Sequence, residues 1–184
     1  WDRGKRSLAL DIQNDQSTFD KLIRSADVLV ETFAPSSIYQ TLVEDRRLAS
    51  LNPRLVHCSI TAYGTVGPLK DEPPVDELVM ARVGILASQP SYRPGPIHVV
   101  HRVPSVGAAI LAAQGIVASL LSREKTGRGR RVETSLMSGA LQYSPKVLGE
   151  RLKSRYFKAV PAGAGPFYSV YECADGAWIQ LACI

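Results

Sequence analysis

The chain has 184 residues, 45% of them apolar and 21% charged, the composition of a globular protein with room for one core. A formal charge of +5 and a pI near 9.2 favour an anionic partner, whether nucleic acid, a membrane surface or a phosphorylated small molecule. The longest apolar run, residues 106–121, is interrupted by Gln114 and falls short of the roughly 20 residues of a membrane-spanning helix, so a soluble chain with no membrane partner is expected. Cys58, Cys173 and Cys183 are odd in number and lack metal-type spacing; they read as reduced thiols, which suits a cytoplasmic protein and no metal. The first residues, Trp1 to Arg6, contain neither an initiating Met nor an apolar h-region, so no signal peptide is expected, and upstream sequence is expected to be missing.

In chain order, Ser7-Leu8-Ala9-Leu10-Asp11-Ile12 reads as a strand, and Asn14, Asp15 and Ser17 offer N-caps for a helix. Phe19, Leu22, Ile23 and Ala26 then recur at three and four, which places one apolar helical face over a sheet. Asp27 to Glu31 is a continuous apolar strand, residues 37–51 read as mostly helical, and Arg54 to Ile60 is a further strand after the Asn52-Pro53 break. Strands separated by such helices predict parallel pairing and the α/β class.

Residues 61–74 read as loop, and Asp76 can cap a helix running to about Ser88. The following loop, residues 89–104, carries Pro90, Pro94, Pro96 and Pro104, which exclude a helix through it. Ser105 can cap a long helix from Val106 to about Lys125, whose small face comprises Gly107, Ala108, Ala109, Ala112, Ala113, Gly115 and Ala118. Thr126-Gly127-Arg128-Gly129 ends that helix; a strand over residues 130–135 and a helix to about Glu150 follow. Residues 151–166 read as a linker. Tyr168 to Cys173, Asp175-Gly176 and Trp178 to Cys183 carry a β-hairpin signature.

Four ordered stretches, residues 4–11, 26–35, 51–56 and 125–132, resemble class III CoA-transferases, the CaiB/BaiF family. The Asp175-Gly176-Ala177-Trp178 core resembles the start of that family's smaller domain. The resemblance implies a Rossmann-like large domain over residues 1–150, a parallel sheet flanked by helices, and the beginning of a small domain at 167–184. Family members are about twice as long, so both ends are expected to be missing. It further implies acyl-CoA and a small carboxylic acid as partners, coenzyme A as the carried group, and two interlocked chains or a paired catalytic half.

In the transferases of this family an aspartate attacks the acyl-CoA carbonyl, giving an aspartyl anhydride and then an aspartyl-CoA thioester. The resemblance sets Ser105 at that aspartate's position and Val75 at the histidine used by racemase relatives. A serine cannot form an anhydride. Asp76 matches a family carboxylate near the site, with a helix cap as the plain alternative, and His57, His98 and His101 are the remaining candidate bases. No residue in the sequence supplies an evident base or oxyanion hole for Ser105.

Family contacts to CoA map to Leu10, Asp11, Ile12 and Gln13 and to Thr32, Phe33 and Ala34, at the carboxyl ends of parallel strands; Phe33 reads equally as core. Thr32 stands for a usual Asn, Ala34 for Arg, and Gln40 for an Arg that contacts CoA in formyl-CoA transferase. Losing guanidinium forks predicts weaker phosphate holding. Three readings stay open. One is a CoA-thioester-binding chain that does not itself transfer CoA, and the second is an active transferase or hydrolase using Ser105. The third is a nucleic-acid module built on Arg123, Lys125, Arg128, Arg130 and Arg131, against which stands the absence of interleaved aromatics.

Overall fold

The computed structural model describes residues 3–88, 96–143 and 167–182. The expected linker at 151–166, the end of the helix expected to reach Glu150, Pro90, Pro94 and Cys183 lie outside the described residues. The chain divides into two compact units, one of residues up to Pro74 with Ala108–Ser135, the other of Val75–Gly107 with the residues from Leu136 on.

In the first unit three parallel strands, β1 (Val28–Glu31), β2 (Val56–Thr61) and β3 (Arg131–Ser135), lie in the order β1-β2-β3. The register pairs Leu29 with His57 and His57 with Arg131, and likewise Val30 with Cys58 and Cys58 with Val132. Because side chains alternate, one sheet face carries Val30, Cys58, Val132 and their neighbours. The other carries Glu31, His57, Ser59, Thr61 and Ser135, all five buried. A buried polar sheet face needs internal partners, and this requirement shapes the cluster described below.

Helix α1 (Gln16–Ser25) begins where the Asp15 carboxylate accepts the Thr18 N–H at 3.2 Å. It ends where the Asn52 side-chain amide donates to the carbonyls of Ile23 (3.0 Å) and Ala26 (2.9 Å). Its buried residues, Phe19 and Ile23, join Leu42, Val43, Leu48 and Leu55 in a core cluster, with Leu10, Ile12, Phe33 and Tyr39 packed against it. The segment expected to be mostly helical over 37–51 is so, in two pieces: a 3-10 turn (Ile38–Thr41) and α2 (Asp45–Leu51), with extended backbone at Glu44 between them. Residues 7–12 do not form the expected strand. A strand exists only with a partner ladder, and among the described residues no strand pairs with this segment.

Helix α5 (Val103–Thr126) is longer than expected, because Pro104 sits in its first turn, where the missing N–H would be unsatisfied in any case. At 24 residues it is long and apolar enough, by length and composition, to cross a membrane. This corrects the expectation that no segment approaches that length. Its small side does pack on the sheet: Ala108, Ala112, Ser119 and Arg123 are buried, and a Cβ at Gly115 would press into Val132. Val117 and Leu121 are exposed.

In the second unit the helix expected from Asp76 to Ser88 breaks into α3 (Asp76–Arg82) and α4 (Ile85–Ser88) at Gly84, whose φ of 78° ends the first piece. Helix α6 (Leu136–Leu141) buries Leu136, Gly139 and Ala140. Strands β4 (Tyr168–Glu172) and β5 (Trp178–Ala182) form the expected antiparallel hairpin. Asp175 accepts the Ala177 N–H at 3.0 Å and Gly176 adopts φ 79° in its turn.

Candidate functional site

Ser105 and Asp76 meet in the second unit. The Ser105 hydroxyl donates to Asp76 Oδ2 at 2.7 Å, and the Ser105 N–H donates to Asp76 Oδ1 at 2.8 Å. Neither residue caps its own helix as expected: Val75 is the N-cap of α3, with Asp76 first in the helix, and Ser105 is the third residue of α5. Ser105 therefore owns one of the four unsatisfied N–H groups that open a helix. The Asp76 carboxylate, 8% exposed, satisfies it from another element at the positive end of the α5 dipole. Pro104 offers no N–H, which leaves Ser105 as the donor Asp76 can reach. The sequence had suggested no base for Ser105; the structure places a carboxylate within hydrogen-bond reach of its hydroxyl.

The CoA-segment candidates lie in the first unit and fall into two groups. The Asp11 carboxylate accepts the N–H groups of Gln13 (3.1 Å) and Asn14 (3.3 Å) and the Asn14 side-chain amide (2.7 Å). These bonds hold the Asp11 pKa below its ordinary value. Gln40 donates its side-chain amide to the carbonyls of Phe33 (3.3 Å) and Ala34 (3.2 Å). It thus clamps the turn made by Thr32, Phe33 and Ala34, and the Phe33 ring lies 5.2 Å from that of Tyr39. Leu10, Ile12 and Phe33 contact the same core cluster, so the packing role of Phe33 is realised.

The sequence offers His57 as a candidate base but does not reveal its surroundings. It is 5% exposed. Its Nδ1 lies 3.0 Å from Asp45 Oδ1, and its Nε2 lies 3.7 Å from Glu31 Oε1, an ion-pair distance beyond a hydrogen bond. Arg131 Nη1 reaches Asp45 Oδ2 at 3.0 Å, while the Phe33 N–H donates to Glu31 Oε2 at 2.6 Å. Beside His57 a cavity of about 200 Å³ is lined by Asp45, Leu48, Leu55, Arg130 and Arg131 among others. The signal available in the sequence was the period-2 recurrence of His57, Ser59 and Thr61 within a buried strand, a polar face with nowhere to be solvated.

Burial would lower the His57 pKa, but contacts with Glu31 and Asp45 outweigh it and raise it above 6.5. Burial would raise Glu31 and Asp45, yet both are lowered. His57, Ser59 and the Phe33 N–H outweigh burial at Glu31, and His57 and Arg131 do so at Asp45. A raised histidine stabilises the fold fully below its unfolded value and stops doing so as pH rises through its folded value. Lowered carboxylates stabilise above their unfolded values and stop as pH falls through their folded ones. Urea midpoints should therefore peak between about pH 4.5 and 6.5 and fall on the alkaline side. His57→Gln should flatten that alkaline fall; an equally steep fall in the variant would show that another group causes it.

The basic stretch is divided by the structure. Arg123 is buried, donating to Asp27 Oδ1 at 2.9 Å and to the Arg54 carbonyl at 3.1 Å, and Arg131 is paired with Asp45. Two of the five cations are thus held in ion pairs within the unit, and a third, Arg130, donates to the Ser122 hydroxyl at 3.1 Å. Among the described residues no group of His, Cys, Asp and Glu has metal-binding geometry.

The sequence model of CoA-transferase family III matches residues 1–184. Acetyl-CoA:oxalate CoA-transferase of Acetobacter aceti is 32% identical over 77% of this chain and 37% of its own length. The succinyl-CoA–L-malate CoA-transferase beta subunit of Chloroflexus aurantiacus is 28% identical over 98% of this chain and 46% of its own. The crystal structure of a CAIB/BAIF family protein from Brucella suis superposes with a TM-score of 0.83, at 23% identity, over 98% of this chain and 49% of that one. The chain thus spans less than half the length of each of these relatives. Matched along its whole length by the family's sequence model, and built on a parallel sheet flanked by helices, this chain belongs to CoA-transferase family III, the CaiB/BaiF proteins.

Proposed function

We propose that the chain binds acyl-CoA but is impaired in CoA transfer, acting as the half of a paired assembly whose partner supplies the nucleophilic aspartate. The observation that carries this reading is the pair of hydrogen bonds that Ser105 donates to Asp76. The position matched to the family nucleophile holds a hydroxyl, and the nearby carboxylate has one oxygen on the Ser105 N–H and the other on its O–H. A carboxylate so engaged, and 8% exposed, is poorly placed to attack a thioester. The name "beta subunit" borne by one relative supports a paired arrangement. Thr32, Phe33, Ala34 and Gln40, with Leu10, Asp11, Ile12 and Gln13, are proposed to hold the CoA moiety, and a small carboxylate such as the oxalate or malate of the relatives' names is the acceptor class. A cytoplasmic location, the absence of membrane and nucleic-acid partners, and the domain boundaries at 150 and 167 belong to the same proposal.

A second reading is favoured by one distance. With Asp76 Oδ2 2.7 Å from Ser105 Oγ, Asp76 can accept the Ser105 proton as Oγ attacks the thioester carbonyl. The C–S bond breaks, the thiolate leaves with a proton returned by Asp76, and water then cleaves the acyl-serine ester. The experiment that separates the readings incubates the chain with acyl-CoA and maps adducts by mass spectrometry. Thermal stabilisation by CoA with no hydroxylamine-sensitive adduct is expected. An adduct on Ser105 establishes the second reading, while an adduct on Asp76, or CoA transfer by the chain alone, refutes the first without supporting the second.

A further inference from the structure

His57 has no part in the chemistry above, yet it lies buried between two carboxylates, Glu31 and Asp45. From β1 it faces Glu31, from α2 it faces Asp45, and from β3 it faces Arg131, its register neighbour. Glu133, two residues along β3, is held 3.7 Å from Arg131. Ser59, on its own strand, bonds Glu31. Cys58, also on β2, points to the opposite sheet face. The row runs Arg131, Asp45, His57, Glu31 and ends on the N–H of Phe33, in the turn assigned above to the CoA moiety.

An imidazolium donates from both ring nitrogens, whereas a neutral imidazole donates from only one. Asp45 Oδ1, at 3.0 Å, is in hydrogen-bond reach and Glu31 Oε1, at 3.7 Å, is not, so a neutral ring keeps its proton on Nδ1 for Asp45. The lone pair of Nε2 then faces the Glu31 carboxylate. That carboxylate is buried, 6% exposed, and loses its counter-charge where little solvent replaces it. Its remaining oxygen is the one that holds Phe33. The imidazolium fixes Glu31 in one orientation; the neutral ring repels it and frees it to turn.

We propose that His57 is a positioning residue for the turn of Thr32, Phe33 and Ala34: its proton fixes the Glu31 carboxylate that grips the Phe33 N–H, so that turn order and acyl-CoA affinity follow the protonation of this one histidine. The CoA half of the statement rests on the function proposed above, while the linkage from His57 to Phe33 does not. Glu31 and Asp45 hold the His57 pKa above its ordinary value, and histidine is the side chain whose charge changes nearest physiological pH.

The test records amide NMR shifts of the whole chain between about pH 5.5 and 8.5, the range a histidine spans. The Phe33 amide should titrate with the same midpoint as the His57 ring and lose exchange protection on the alkaline side. In Glu31→Gln the Phe33 shift should be flat while His57 titrates at lower pH, and in His57→Gln it should be flat throughout. A Phe33 amide that ignores the His57 titration in the unaltered chain overturns the linkage. CoA affinity is read in parallel and should weaken by about fivefold across the transition, the low end of coupling between linked sites. CoA binding that is tight and pH-independent overturns the gating. If Phe33 follows His57 but CoA binds at no pH, the linkage stands and the CoA assignment is what fails.

Discussion

Ser105→Asp is expected to turn a chain that forms no covalent adduct into one that captures the acyl group from acyl-CoA. A carboxylate oxygen attacking the thioester gives a mixed anhydride, which the departing thiolate can re-attack; a hydroxyl gives only an ester, which CoA cannot readily reopen. The location suits the new charge. Position 105 lies in the first turn of α5, where the helix dipole favours an anion. Asp76, 2.7 Å from the present hydroxyl, then faces a second carboxylate across that short distance. Loss of a catalytic nucleophile elsewhere removes about 10⁶-fold of rate, so restoring one should raise acyl transfer by at least about 10²-fold. Ser105→Asn, of equal size but without the carboxylate, should stay inert. A Ser105→Asp variant that binds CoA and yet forms no hydroxylamine-sensitive adduct would remove Ser105 as the cause of impairment.

Gly129→Ala is expected to be the most damaging single-methyl substitution in the first unit. The Gly129 N–H donates to the Pro53 carbonyl at 2.9 Å, and a Cβ at Gly129 would land on the Leu55 carbonyl group. What it meets is backbone, held between the buried entry of β2 and the core cluster, so the strand itself must shift. Overpacking of this kind costs about 3 kcal/mol or more, which lowers Tm by about 6–12 °C in a chain of this length. Gly127, two residues earlier, is the contrast. Its φ is 69° and a Cβ there meets open space, so Gly127→Ala costs about 1 kcal/mol through backbone conformation alone. Equal effects at the two positions would show that the close approach of the 129 turn to β2 is relieved at no cost.

These two glycines also mark where reading the chain stops being enough. The Thr126-Gly127-Arg128-Gly129 stretch identifies a helix stop in the sequence, yet nothing local distinguishes a glycine needed for its φ from one needed for space. The second requirement comes from Leu55, more than 70 residues away in the chain. The central strands behaved differently: Val28–Glu31 and Val56–Thr61 are continuous apolar or alternating runs with turn residues at their borders, and their identity follows from composition alone. Residues 7–12 carry as strong a strand pattern and are not a strand, since pairing depends on a neighbour that propensity cannot supply.

Periodicity, caps and ordered motifs are local properties of the chain. From them alone follow the α/β class, the order of the core elements, the hairpin turn at Asp175-Gly176 and the family. It took the folded chain to bring Asp76 and Ser105, 29 residues apart, onto two shared hydrogen bonds, and to set His57 between Glu31 and Asp45. Hydrogen bonds and ion pairs act over a few ångströms of space whatever the separation along the chain. The folded geometry therefore sets which carboxylate meets which hydroxyl or ring.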